Sequence, residues 1–152
     1  KRSELVIPSD WKVTFDENLA KKMPTIKFLP EQGNRFSIMV SPYGKIWGKP
    51  VSVDTVKQNS LEQFEQLANS AVEKPVLKEL KNGNVNMFYF CDLQDKDYKP
   101  NNQNEFPFLC RGHAEIEGSA LYFTMLYREK GSADVKDGLY AITNSKILDL
   151  RK

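Results

Sequence analysis

The sequence predicts an α+β fold: an antiparallel β-sheet with helices packed against it. Three observations carry this. First, "VNMFYFCDL" (85–93), "FPFLCRGHAEIE" (106–117) and "ALYFTMLYRE" (120–129) follow one another as apolar, aromatic-rich runs, the signature of strands. Second, "SLEQFEQLANSAVE" (60–73) places Leu61, Phe64, Leu67, Ala68, Ala71 and Val72 on one helical stripe. Such a stripe must be buried against another element. Third, "SADVKDGLYAITNSKIL" (132–148) repeats Val135, Leu139 and Ile142 at helical spacing behind a capping Ser132, with Gly138 as its weak point.

The remaining elements follow in chain order. "ELVIPSDWKVTF" (4–15) reads as extended and is punctuated by Pro8. Residues 16–34 hold either a short helix at Glu17–Met23 or a strand at Thr25–Leu29, and Gly33-Asn34 marks a turn. "RFSIMV" (35–40) alternates Phe36, Ile38 and Val40 as a strand does. Residues 41–59, with two prolines and two glycines, read as a loop with a short strand at Val51–Val53. The helix then starts at Ser60, with Gln63 completing a capping box, and ends before Pro75.

The strand pairing can be set by hand. Gly118 at the first central position of "EGSA" suits a type II′ turn, which places Glu117 opposite Ala120 and Ala114 opposite Phe123. If Cys91 lies opposite Cys110, then Tyr89 faces Gly112, Met87 faces Ala114 and Val85 faces Ile116. One face then collects Val85, Met87, Tyr89, Cys91, Leu93, Cys110, Ala114, Ile116, Leu121, Phe123, Met125 and Tyr127 and is apolar throughout. The other carries Phe88, Phe90, Arg111, His113, Glu115, Tyr122 and Thr124 and is half polar. A slip of one residue would mix the two sets.

Length and charge bound the function. A chain of 152 residues is one domain, spanning 1–152, and is large enough for a proper core. A net charge of +2 gives no footprint for nucleic acid or an anionic membrane. No apolar run reaches membrane-spanning length. The chain opens "KRSEL" without Met, so it reads as a form from which an N-terminal segment has been removed.

Cys91 and Cys110 are the only cysteines. Placed opposite one another on one face, they are either a cross-strand disulfide of an exported protein or two reduced thiols in a core. Two Cys and one His supply too few ligands for a zinc site. His113 has the opposite strand parity to both cysteines, which removes Cys–His catalysis. Asp92, Asp95, Asp97, Asn101, Asn102 and Asn104 make an oxygen-rich loop without the EF-hand pattern. Glu115 and Glu117 share a strand face, as solvated strands commonly arrange them. No cofactor or metal is expected. The candidate binding residues are Tyr43 and Trp47, large aromatics on a Gly/Pro-punctuated loop, with Arg111 and His113 on the polar sheet face. For His113 the alternatives are a general base, a member of a polar patch, or an ordinary strand residue.

"VIPSDWKV", "RFSIMV", "LEQFEQLANSAVE" and "LYFTMLYREKGSADVKDGLYAITNSKIL" together resemble the PsbP/Mog-like superfamily, which includes the bacterial DcrB-like proteins. The likeness covers nearly the whole chain, through the order of elements, Ile7, Pro8 and Trp11, and the last strand-to-helix passage; Asp16–Asn34 departs from it. It implies an α-β-α sandwich with helices on both faces of the sheet, and no catalysis. Plant members support photosystem II, fungal members bind the GTPase Ran, and some bacterial relatives are adaptor chaperones for secreted toxins.

The expected function is therefore a non-catalytic binding or accessory module for a protein partner, in the periplasm, secreted or lipid-anchored. Its competitors are a cytosolic adaptor or chaperone of the same fold and an enzyme centred on His113, Arg111 and Glu115.

Overall fold

The computed structural model describes residues 2–15, 25–44, 48–99 and 105–148. The expected helix at 17–23 lies outside them. One seven-stranded antiparallel sheet dominates, in the order β2-β3-β4-β8-β7-β6-β5. Its strands are β2 (Trp11–Phe15), β3 (Ile26–Pro30), β4 (Phe36–Gly44), β5 (Lys78–Asn82), β6 (Val85–Leu93), β7 (Phe108–Ile116) and β8 (Ser119–Tyr127). A separate antiparallel pair joins β1 (Arg2–Glu4) to β9 (Lys146–Leu148). Among the described residues the helices are α1 (Val53–Ala68) and α2 (Ala133–Thr143).

The α-β-α sandwich is therefore corrected to a mainly-β fold. Helices of 16 and 11 residues rest on the sheet but form no helical layers flanking it. The reason is width. Seven strands span roughly 29 Å across the sheet at their usual spacing, whereas one helix is about 10 Å wide. Part of that width comes from β5, "KELKN", which the sequence pattern does not reveal. All five of its residues are exposed, so it lacks the alternation of a half-buried strand. Its two lysines suit an edge.

The expected apolar face is the main core. Val85, Met87, Cys110, Ala114, Ile116, Leu121, Phe123, Met125 and Tyr127 pack with Phe36, Ile38 and Val40 of β4 and with Val135 and Ile142 of α2. Gly138 lets α2 come close: a Cβ there would lie 2.9 Å from Met125 Sδ. Gly112 is tighter still, since a Cβ would lie 2.5 Å from the Phe88 carbonyl oxygen and 2.6 Å from Tyr89 Cβ.

Three details differ from the expected pairing. The turn is Glu117-Gly118, not Gly118-Ser119: both have positive φ, 51° and 83°, so it is type I′ and Ile116 pairs with Ser119. The buried Glu115 carboxylate accepts the Gly118 N–H at 2.8 Å and secures it. The register moves by two residues, which preserves both faces but sets His113 opposite Tyr122 instead of Thr124. On the other side, Val85–Ile116, Met87–Ala114 and Tyr89–Gly112 pair as expected.

The register then shifts between Phe90 and Leu93, where Asp92 has φ 56°. Tyr127 holds this irregularity by accepting the Asp92 N–H at 2.6 Å and donating to Asp92 Oδ1 at 2.7 Å. Leu93 consequently leaves the expected face and packs with Phe90 and Ala71 on the other.

The helix α1 begins seven residues before Ser60. Ser52 is its cap, with its Oγ accepting the Thr55 N–H at 3.1 Å. The stretch 53–59 is thus helix, not strand or loop. Ser60 is buried mid-helix, and its hydroxyl donates to the Phe88 carbonyl at 3.3 Å. Val56 meets Phe88 and Ala120 below it, while Phe64 and Leu67 meet Phe90 and Leu93. Val72 is exposed, because the helix has already ended at Ala68.

Cys91 and Cys110 form a disulfide. They are 19 residues apart in sequence, and closing a loop of that size stabilises by about 3 kcal/mol. Urea unfolding of oxidised and reduced protein should differ by that order. In denaturant without reductant both thiols should resist alkylation; labelling of both would contradict the bridge.

Candidate functional site

The second sheet face becomes a site because α1 covers only part of it. β4 sends Tyr43 to this face, β7 sends Arg111 and His113, and β8 sends Tyr122 and Thr124; strand alternation and the β4–β8–β7 pairing put them side by side. Helix α1 supplies Asn59 and Gln63 one turn apart. A cleft of about 480 Å3 runs between them, bounded by Tyr43, Asn59, Gln63, Gln66, His113 and Tyr122. That volume lies in the range of small-ligand sites. Glu62 stands at its exposed edge.

His113 is the centre. It is 5% exposed and enclosed by rings, edge-on to Tyr43 at 5.9 Å and tilted against Tyr122 at 4.9 Å. Its Nδ1 lies 2.9 Å from the Tyr43 hydroxyl. Burial, reinforced by the Arg111 charge, lowers its pKa from 6.5 to about 4, so at neutral pH the ring is uncharged. Its Nε2 is buried without a hydrogen-bond partner among the described residues, as are Gln63 Oε1 and Ser119 Oγ. Two of these three atoms belong to residues of this cleft.

Arg111 is anchored beside the site. Its Nε donates to Thr124 Oγ1 at 3.2 Å, and its guanidinium lies 5.9 Å from the Tyr122 ring centroid. Thr124 in turn donates to the Tyr122 hydroxyl at 3.4 Å. Burial raises the Tyr43 pKa, and the Asn59 side chain offsets part of that rise.

Of the four sequence-predicted contact residues, Tyr43, Arg111 and His113 come together, and Trp47 lies outside the described residues. Asn59, Gln63 and Tyr122 are not among the contact residues the sequence predicts, Gln63 being read there as the capping-box partner of Ser60. A helix started at Ser60 leaves Asn59 in a loop, and the register two residues off hides Tyr122. Reading Glu117-Gly118 as the two-residue turn would have exposed Tyr122.

The other candidates resolve structurally. Cys110 lies in the main core, through the sheet from His113. Glu115 is buried and accepts from Asn86 Nδ2 at 3.0 Å, while Glu117 accepts from Asn84 at 3.0 Å, so these carboxylates serve the turn. Of the oxygen-rich loop, Asn101, Asn102 and Asn104 lie outside the described residues, and Asp95 caps its own turn by accepting the Asp97 N–H at 2.7 Å. No group of three or more His, Cys, Asp or Glu suited to a metal occurs among the described residues. No helix among them is long and apolar enough to cross a membrane.

No family model, curated protein or solved structure matches the chain.

The buried neutral histidine makes stability pH-dependent. In the unfolded chain His113 takes up a proton near pH 6.5, whereas in the folded protein it does so only near pH 4. Stability should therefore be fully present above pH 6.5, fall as the pH drops toward 4, and level off below. At 1.36 kcal/mol per pH unit the loss is about 3 kcal/mol. Urea melts of wild type and His113→Phe from pH 7.5 to 4 should show this step in the wild type alone; parallel curves would contradict it.

Proposed function

We propose that this chain is a binding module that performs no catalysis, works in an oxidising compartment, and receives a group of a protein partner in the cleft between α1 and the Tyr43–His113–Tyr122 face. One observation carries the reading: a buried, uncharged imidazole, held in place by Tyr43 and Tyr122, has one ring nitrogen left unpaired at the wall of a ligand-sized cleft. Buried polar atoms are costly to leave unpaired, so a partner that satisfies them gains affinity and specificity. The surrounding aromatic and amide groups suit recognition, and Arg111 and Glu115 are tied into the sheet.

The disulfide favours export over a cytosolic adaptor, because such bridges persist in oxidising compartments. The PsbP/Mog-like resemblance also implies a role without catalysis, but the proposal stands on the cleft, since analogy of fold does not license function.

Screening a fragment library by NMR on the labelled protein tests the reading. Fragments should bind saturably, with shifts concentrated on Tyr43, Asn59, Gln63, His113 and Tyr122, and Tyr122→Ala should weaken them by about tenfold or more. A screen whose hits scatter over the surface, or that yields none, would overturn it.

A further inference from the structure

The hydrogen bonds around His113 define which nitrogen carries the proton. The Tyr43 hydroxyl is hydrogen-bonded to His113 Nδ1, and of such a pair the phenol is the stronger donor and the imidazole nitrogen the stronger acceptor. Tyr43 therefore donates its hydrogen, and His113 Nδ1, at 2.9 Å, receives it. A neutral imidazole that accepts at Nδ1 carries its proton on Nε2. The unpartnered Nε2 is therefore a donor. The unpartnered Gln63 Oε1, on the helix side of the same cleft, is an acceptor.

Both atoms belong to residues of one cleft, so a ligand that satisfies both carries an acceptor and a donor. A carboxylate offers acceptors only and so leaves Gln63 Oε1 without a donor, and Glu62 stands at the cleft edge. A ketone or ester leaves Gln63 Oε1 unsatisfied. An uncharged carboxamide offers a C=O for His113 and an N–H for Gln63.

We infer that the cleft recognises an uncharged carboxamide, with His113 Nε2–H donating to its oxygen and Gln63 Oε1 accepting from its nitrogen. This rests on the binding-module reading and adds the chemistry of the group bound. The group comes either from an Asn or Gln side chain of a partner or from an aromatic carboxamide.

His113 is the only histidine, so its ring nitrogens can be observed without assignment ambiguity. A long-range 1H–15N spectrum of the full chain near pH 7 should show the proton on Nε2; a proton on Nδ1 would overturn the inference. Titration follows with benzamide, capped glutamine (N-acetylglutamine methylamide), acetophenone and benzoate. At least one of the two carboxamides should bind saturably and shift His113, and the tighter of the two identifies the source. Acetophenone, lacking the donor, should bind about tenfold more weakly than benzamide, the usual cost of one unpaired buried group. Benzoate should not bind.

Gln63→Leu should erase the preference for benzamide over acetophenone while leaving the His113 spectrum intact, and Gln63→Ala repeats the test should the larger change disturb α1. Equal binding of benzamide, acetophenone and benzoate would overturn the carboxamide assignment. So would cleft binding by other fragments with neither carboxamide bound, an outcome that leaves the binding-module reading standing. If nothing binds the cleft, both fall.

Discussion

Strand β7 must satisfy opposite demands on its two sides, and the rest of the structure is arranged around that. Cys110, Gly112, Ala114 and Ile116 face the main core, while Arg111, His113 and Glu115 face α1. The core side is small because space is scarce: Gly112 leaves no room for a Cβ between the Phe88 carbonyl, Tyr89 and the Phe123 ring. The neighbouring strands supply the bulk, with Phe123, Met125 and Tyr127 fully buried on β8. A polar face can be carried through so buried a strand because each of its polar side chains has at least one named partner: Arg111 has Thr124, Glu115 has Asn86 and the turn, and His113 has Tyr43 at Nδ1, with Nε2 left unpaired.

That arrangement explains why the site is neutral. Charging His113 would mean burying a cation beside Arg111, and no carboxylate lies among its hydrogen-bond or ring partners to repay the cost. Two tyrosine rings and a phenolic hydroxyl instead fix its position as an uncharged group. Helix α1 completes the cleft by standing on Val56, Ser60 and Phe64, which leaves Asn59 and Gln63 of the same helix facing the opening.

Much of this is visible in the residues. Alternation assigns the two faces of β6, β7 and β8 correctly, and it survives the misplaced turn because a shift of two residues keeps parity. It fails at Leu93, where a left-handed Asp92 tethered to Tyr127 interrupts the alternation; nothing local marks that tether. The start of α1 is missed because Ser60-Leu-Glu-Gln mimics a cap, although Ser52 with Thr55 is the cap used. The breadth of the sheet is missed because β5 is an exposed edge with no apolar period. Parity alone places Arg111 and His113 together, but Tyr43 joins them only through the β4–β8 pairing, which joins residues some eighty positions apart and leaves no local signal.

The central claim is that Tyr43 holds His113 at the wall of the cleft. A double-mutant cycle on Tyr43→Phe and His113→Phe, read by urea unfolding at pH 7.5, tests it most directly. Phe keeps the rings and removes the hydrogen bond, so the two changes should couple by about 1 kcal/mol, the net worth of such a bond. Additive effects would mean that the two side chains act independently and that the cleft is not held as described.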